Sequence, residues 1–305
     1  MQPSFWSNTI WYVLLGLSSI ISIVLTFYKS NNRKFLIGFS FSVLGTTFFA
    51  ETVLLTITNG YRYLPRLMND AFLDSIAGNY FSQLALTSTS ILIVIYKLPT
   101  IWSFIFAGAY FLIEELFLEL GIYQHFWYRT WYTPIAVLLM FWTVKKWYRY
   151  MQSSPKSFIC YITLFLGASS LFSITVAFYF FAFAIEVINF KFIFNEFFRN
   201  QAIFAVSFRS IWIIIMIVLH RLNLKLICKG SAFVFLFIAQ YILINLKFIT
   251  IKDGWFWAVT LLNIAGSYLA VVLIDYLLKH AGKSTSHFIN WMYLCCKKDF
   301  TWQMQ

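Results

Sequence analysis

Residues 9–27 read TIWYVLLGLSSIISIVLTF, a run without a single charged side chain. An α-helix needs about 20 residues to cross a hydrocarbon core of roughly 30 Å, so this run predicts a membrane-spanning helix. Eight comparable runs follow along the chain. The nine predicted spans cover residues 9–27, 35–58, 80–96, 100–119, 131–147, 158–184, 202–219, 231–250 and 255–278.

The composition of the chain points to the same class of protein. Of its 305 residues, 61% are apolar and 11% are charged, whereas soluble domains carry about 25% charged residues. The apolar runs are continuous, while strands of a membrane barrel alternate between apolar and polar residues. The predicted fold is therefore an all-α polytopic transmembrane bundle of about nine spans.

The distribution of lysine and arginine predicts the orientation of the bundle. Fifteen of these residues fall on one side of the predicted spans and seven on the other, with Arg209 inside a span. The richer side marks the cytoplasm. The N-terminus is then outside, the C-terminus is cytoplasmic, and the cytoplasmic (plasma) membrane is the expected location. The net charge of +12 is explained by this topology, so no nucleic-acid partner is expected. The four cysteines, expected near the reducing cytoplasmic face without disulfides, are Cys160, Cys228, Cys295 and Cys296.

The predicted spans group into two units. Residues 1–150 form a five-span unit, and residues 151–305 form a four-span unit that ends in a basic cytoplasmic tail. The external loop at 59–79 is long for a helix connection. Helical spacing of its apolar residues predicts a short interfacial helix near 66–77, after Pro65 and before Gly78. The sequence shows no convincing internal repeat, which counts against an inverted-repeat transporter.

Several ionisable residues lie inside or beside predicted spans. Counting 1.5 Å per residue places Glu51, Glu114 and Arg209 roughly 10–13 Å below the outer surface. Buried charges in membranes are costly and usually face a cavity or a partner. We therefore expect one outward-facing polar cavity in which Glu51 and either Glu114 or Glu115 contact Arg209. The candidate ligand-binding residues are Glu51, Gln83, Glu114, Glu115, Glu119, His125, Arg129 and Arg209.

Each of these residues also has a purely structural interpretation. Glu119 suits a helix end, and His125 and Arg129 suit an interfacial anchor among aromatic residues. A buried Glu–Arg pair can simply fix the register of two helices. Carboxylates and one histidine also suit a metal ion, but no HExxH, ExxH or CxxC spacing is present. We predict no metal site, no cofactor and no catalytic residue.

Two motifs carry a resemblance to a known family. They are YRYLP followed by DSIAGNYFSQ, which ends at Gln83, and IEELFLELGIYQHFWYRTWYT at 113–133. Over residues 25–150 the chain resembles uncharacterised polytopic membrane proteins of Bacillus-like and Clostridium-like Gram-positive bacteria. Those proteins are about five-span units without an established activity. The resemblance implies that this family's recognisable motif is occupied by Glu114, Glu115, His125, Trp127, Tyr128, Arg129 and Tyr132.

These observations favour a non-enzymatic membrane protein. Its outward-facing polar pocket would bind a small polar ligand or a cation in transport or sensing, with the lipid bilayer as its surroundings. Two alternatives remain open at this stage. One is a membrane-embedded enzyme that acts on a lipid-linked or cell-wall substrate through Glu114 or Glu115 and His125. The other is a structural partner within a membrane complex.

Overall fold

The computed structural model describes residues 5–153, 155–183, 185–188, 197–222 and 226–279. For residues 175–183, 188 and 226–229 it describes the backbone alone. Cys295, Cys296 and the predicted cytoplasmic tail lie outside the described residues. Within the described ranges the helices are α1 (Phe5–Lys29), α2 (Arg33–Ile57), α3 (Ala71–Ile95), α4 (Thr100–Glu119), α5 (Tyr132–Gln152), α6 (Ser157–Phe183), α7 (Phe197–Arg221), α8 (Leu226–Asn245) and α9 (Phe256–Leu278). The short strands are β1 (Tyr61–Tyr63), β2 (Tyr123–His125), β3 (Glu186–Ile188) and β4 (Ile249–Ile251).

Six of the described helices contain a stretch long and apolar enough to cross a membrane. They are α1, α2, α4, α6, α7 and α9. Their outer faces expose large apolar side chains, such as Leu14, Ile21 and Val24 on α1. Such a surface is stable against lipid and costly against water. The chain is therefore a helical, membrane-embedded protein. Each predicted span overlaps a described helix, although span 231–250 continues past the end of α8 at Asn245.

The segment between α2 and α3 differs from the prediction. No separate interfacial helix forms near 66–77, because α3 begins at Ala71 and continues without a break to Ile95. Asp70 caps this helix by accepting hydrogen bonds from two backbone N–H groups of the first turn, as N-cap residues do. Gly78 does not end a helix. It lies inside α3, where a Cβ atom would come within 2.6 Å of Tyr63 Cβ.

The chain contains an internal repeat that the sequence did not reveal. Residues 33–152 run helix, strand, helix, helix, strand, helix, and residues 157–279 run through the same order. In each repeat the two strands pair antiparallel, β1 with β2 and β3 with β4. Each strand pair joins the ends of two helices, so the helices of a repeat alternate in direction. The starts of α2 and α6 pack in one cluster, where Phe35 and Leu36 lie with Ile159 and Cys160. Both repeats therefore have the same orientation, and α1 stands outside the duplication.

The turn that leads from a helix into a strand is the same in both repeats. Gly121 after α4 and Lys247 after α8 both have positive φ, +66° and +59°. The left-handed conformation is typical of a residue just past a helix end. Three backbone hydrogen bonds close each turn with identical spacing. They are Leu120 to Leu116, Gly121 to Leu118 and Ile122 to Phe117 in one turn, and Leu246 to Ile242, Lys247 to Ile244 and Phe248 to Leu243 in the other.

The two repeats meet where α2 crosses α6. A Cβ atom on Gly45 would lie 2.2 Å from the backbone oxygen of Leu166, so the two helix backbones are in contact. Hydrogen bonds cross the contact in both directions. Ser42 Oγ donates to the carbonyl of Thr163 at 2.8 Å, and Ser170 Oγ donates to the carbonyl of Phe41 at 2.6 Å. Small residues permit this approach between helices in lipid.

We expect Gly45→Ala to destabilise the protein strongly, because the added methyl group meets backbone rather than a movable side chain. Overpacking of this kind costs about 1–3 kcal/mol. Thermal unfolding of the purified chain in detergent is the measurement. Gly108→Ala in α4 is the matched control, because nothing lies within 4 Å of its added Cβ. A Gly45→Ala protein that unfolds at the same temperature as Gly108→Ala would contradict the close crossing.

Candidate functional site

The first strand pair gathers aromatic side chains on one face. Tyr61 lies opposite His125, and Tyr63 lies opposite Tyr123. Residues two apart in a strand, and residues directly opposite each other, project from the same side of a sheet. These four side chains therefore point together towards the helices, where Tyr128 joins them. The ring centroids of Tyr61 and Tyr128 are 4.9 Å apart, and those of Tyr63 and Tyr123 are 4.8 Å apart.

The loop after β1 is held by two side chains near the start of α3. Asp74 accepts hydrogen bonds from the backbone N–H groups of Arg66, Leu67 and Met68. Ser75 Oγ accepts one from the backbone of Tyr63 at 3.0 Å. Buried backbone donors need such partners. This is why residues 64–70 form an irregular loop held by α3, while residues 71–77 of the predicted surface helix belong to α3 itself.

The aromatic face covers a large cavity, which we call the tyrosine cavity. The volume of the cavity is about 370 Å³. The cavity follows α5 from Thr133 to Thr143, a distance of roughly 15 Å along a helix. Its ionisable and aromatic lining residues are Glu51, Tyr61, Tyr63, Tyr110, Glu114, Phe117, Tyr123 and Tyr128.

Two carboxyl groups from different helices line the tyrosine cavity. Glu51 on α2 is hydrogen-bonded to the hydroxyl of Tyr61. It lies directly before residues 52–57, which are wound as a π-helix, a distortion frequent at functional sites. Glu114 on α4 is 91% buried. One oxygen lies 2.8 Å from His125 Nε2, and the other accepts a hydrogen bond from Thr133.

The remaining predicted residues of this region lie further out. Glu115 is half-buried and Glu119 is exposed, and neither lines the cavity. Arg129 is exposed on the strand side. Burial lowers the pKa of His125, Glu115 acts in the opposite sense, and Arg129 adds to the lowering. A neutral His125 ring is therefore favoured, and it orients Glu114 through their hydrogen bond.

The tyrosines of the strand face stay neutral. Burial is the largest cause of a raised pKa at each of them, and the nearby carboxyl groups raise it further. The pKa of Tyr128 rises to about 12. Neutral phenols present aromatic faces and hydroxyl groups to the cavity. The two carboxyl groups are then the ionisable acids among its described lining residues.

Arg209 does not pair with Glu51 or Glu114, so the predicted ion pair is wrong. Arg209 on α7 forms its ion pair with Glu186 of β3, at 3.9 Å. Burial raises the pKa of Glu186, while Arg209 and Asn263 act in the opposite sense. The sequence could not indicate this partner, because β3 was not recognised as a strand that returns over α7.

A second, smaller space lies between the repeats, and we call it the polar cavity. The volume of the polar cavity is about 100 Å³. It lies between α2 and α3 of the first repeat and α6 and α7 of the second. Its polar and ionisable lining residues are Glu51, Thr52, Thr56, Asn79, Tyr80, Gln83, Ser169, Ser170, Ser173, Arg209 and Ser210. The single predicted cavity is thus two cavities, and Glu51 lines both.

The sequence analysis did not include Tyr61, Tyr63 or Tyr123 among the candidate site residues, and it did not predict the strands that carry them. A signal was present in YRY and YQH, where apolar and polar residues alternate next to a helix end. Three-residue strands are too short for that pattern to stand out. Among the described residues, no group of three or more His, Cys, Asp and Glu side chains is arranged to hold a metal ion.

No family model, curated protein or solved structure matches this chain. The resemblance of residues 25–150 to uncharacterised membrane proteins of Gram-positive bacteria therefore stays a prediction.

We expect Thr133→Val to destabilise the site, because Thr133 connects Glu114 with the hydroxyl of Tyr128. A buried polar group that loses its partner costs about 1–3 kcal/mol. Thr143→Val on the same helix is the control, since Thr143 is exposed. Thermal unfolding in detergent compares the two. Equal unfolding temperatures would show that Thr133 does not hold Glu114.

Proposed function

We propose that the protein binds a small organic cation, of the quaternary or alkylated ammonium class, in the tyrosine cavity. The observation that carries the proposal is the pairing of two carboxyl groups with buried tyrosine rings around one space. Glu51 and Glu114 supply negative charge, and Tyr61, Tyr63, Tyr123 and Tyr128 supply aromatic faces. Aromatic cages of this kind recognise alkylated ammonium groups through cation–π attraction.

The charge of the lining supports a cation over an anion. None of the described residues that line the tyrosine cavity is a lysine or an arginine. Attraction between opposite charges grows where water is excluded. A cation between Glu51 and Glu114 would therefore be favoured, while an anion would meet two carboxyl groups and no positive partner.

The shape of the cavity supports an organic cation over a bare metal ion. Its lining is mostly apolar, with Leu15, Leu54, Leu86, Ile113 and Met140 among the tyrosines. A metal ion needs several oxygen ligands close together. An alkylated ammonium group instead buries methyl groups against apolar walls while its charge faces the carboxyl groups. The volume is in the range of small-molecule sites.

The strand end of the bundle is proposed to face outwards at the plasma membrane. The loops at the opposite end hold the excess of lysine and arginine, as cytoplasmic loops do. The tyrosine cavity would then receive its ligand from outside the cell. Transport or sensing of that ligand follows as the role, since the cavity extends along α5 towards the middle of the bundle.

The proposal is tested by calorimetric titration of the full chain in lipid nanodiscs. Choline and its uncharged isostere 3,3-dimethylbutan-1-ol are the probes. We expect choline to bind at least about tenfold more tightly, because only choline gains from the carboxyl groups and the aromatic faces. Equal binding of the two probes, or no binding of choline, would overturn the proposal.

Glu114→Gln is expected to weaken choline binding by about tenfold or more, because it removes one negative charge from the cavity. Glu115→Gln is the matched control. It removes the same charge from the neighbouring residue, which does not line the cavity. The same titration measures both variants. Equal losses in the two variants would point to long-range attraction at the surface instead of a site at Glu114.

The orientation is tested with single cysteines in a chain whose four native cysteines are replaced by serine. Gln124→Cys is exposed on β2, and Ser153→Cys is exposed beyond α5 at the opposite end. In intact cells a membrane-impermeant thiol reagent should label position 124 alone. Labelling of position 153 alone would reverse the proposed orientation.

A further inference from the structure

The polar cavity contains three buried polar atoms that have no hydrogen-bond partner in the described part of the chain. They are Asn79 Oδ1, Gln83 Nε2 and Ser169 Oγ. The three side chains are between 2% and 7% exposed, and all of them line the cavity. A buried polar group without a partner destabilises the folded state. Three residues with such atoms line one cavity, which indicates that something else completes their hydrogen bonds.

The ionisable groups that line this cavity carry no net formal charge. Arg209 is positive, Glu51 is negative, and both line the cavity. A charged ligand would need a counter-charge of its own in a site surrounded by hydrocarbon, which is costly. The balance therefore favours an uncharged ligand.

The unpartnered atoms require a ligand that both donates and accepts hydrogen bonds. Asn79 and Gln83 are four residues apart on α3, so they lie on one face of the helix. Ser169 faces them from α6. Gln83 Oε1 accepts a hydrogen bond from Thr47 Oγ1 at 3.1 Å. Thr47 lines the tyrosine cavity, so Nε2 is the amide atom that remains for the polar cavity. Asn79 Oδ1 is an acceptor and Gln83 Nε2 is a donor. A small amide or polyol can donate a hydrogen bond to the first and accept one from the second.

The position of the cavity is the one that a duplicated membrane protein favours for a ligand. In transporters built from two repeats, the substrate lies at the interface between them. Gln83 and Arg209 both line the polar cavity, and each lies twelve residues before the last residue of equivalent helices, Ile95 of α3 or Arg221 of α7. A cavity volume of about 10–15 Å³ is enough for one water molecule, and the volume of the polar cavity is about 100 Å³. The polar cavity therefore has room for a ligand of several heavy atoms.

We propose that the polar cavity is a second binding site, distinct from the tyrosine cavity, for a small uncharged amide or polyol held by Asn79, Gln83 and Ser169. The ligand lies at the interface between the repeats and contacts α3 on one side and α6 on the other. Asn79, Gln83 and Ser169 do not line the tyrosine cavity, so we expect binding here not to require a cation there.

Saturation-transfer NMR of the full chain in lipid nanodiscs tests this site, with acetamide and glycerol as probes. Acetate and methylammonium serve as the charged counterparts. We expect transfer to acetamide and glycerol that falls about fivefold in Gln83→Leu and in Ser169→Ala, the effect of one lost hydrogen bond. Excess choline should leave the transfer unchanged.

Two variants control for the loss of a buried polar group elsewhere. Gln240→Leu and Thr87→Val each remove a buried side chain that also has an unpartnered atom, but neither residue lines the polar cavity. In both variants, saturation transfer to acetamide and glycerol should equal that of the native chain. If Gln83→Leu fails to insert, Ser169→Ala decides, because it removes a single oxygen atom.

Three results would overturn the proposal. The first is no transfer to either uncharged probe in the native chain. The second is equal transfer in the native chain and in Ser169→Ala, which would place the probes on the surface or in lipid. The third is stronger transfer to acetate or methylammonium that Ser169→Ala abolishes, which would show a site for ions.

Discussion

The contact of α2 with α6 is the constraint on which the rest of the structure depends. Gly45 brings one helix backbone against the carbonyl of Leu166, and two serine hydroxyls hydrogen-bond across the contact. Helices in lipid gain little from hydrophobic attraction, so association depends on close packing and hydrogen bonds. This crossing joins the two repeats. It places α3 and α7 on either side, and the polar cavity lies between these four helices.

The tyrosine cavity depends on a different device, the antiparallel pairing of β1 with β2. The two short strands lie at the ends of the helices that they connect. The register of their pairing places Tyr61, Tyr63, Tyr123 and His125 on one face. Asp74 and Ser75 fix the loop beside β1 from the start of α3. Because α3 also contributes Gln83 to the polar cavity, one helix supports both spaces.

The apolar runs predicted the helices well, since length and hydropathy suffice to define a segment that is stable in lipid. Glu51 and Glu114 were also recognisable as unusual, because a charge inside such a run is costly. Their partners were not predictable. Tyr61, Thr133 and His125 come from short strands and neighbouring helices whose register depends on tertiary packing. The ion pair of Arg209 with Glu186 was not predicted for the same reason. The internal repeat was not recognised because its equivalent helices and strands are built from different residues.

The duplication is unequal in one respect. Glu114 on α4 and Gln240 on α8 each lie seven residues before the positive-φ residue that follows the helix, Gly121 or Lys247. Each contacts a threonine on the following helix of its repeat, Thr133 or Thr260. The second repeat thus preserves the architecture of the contact but not its charge, and β3 and β4 contribute no tyrosine. Among the described residues, the combination of carboxyl groups and tyrosines proposed to bind an organic cation therefore occurs once, in the first repeat.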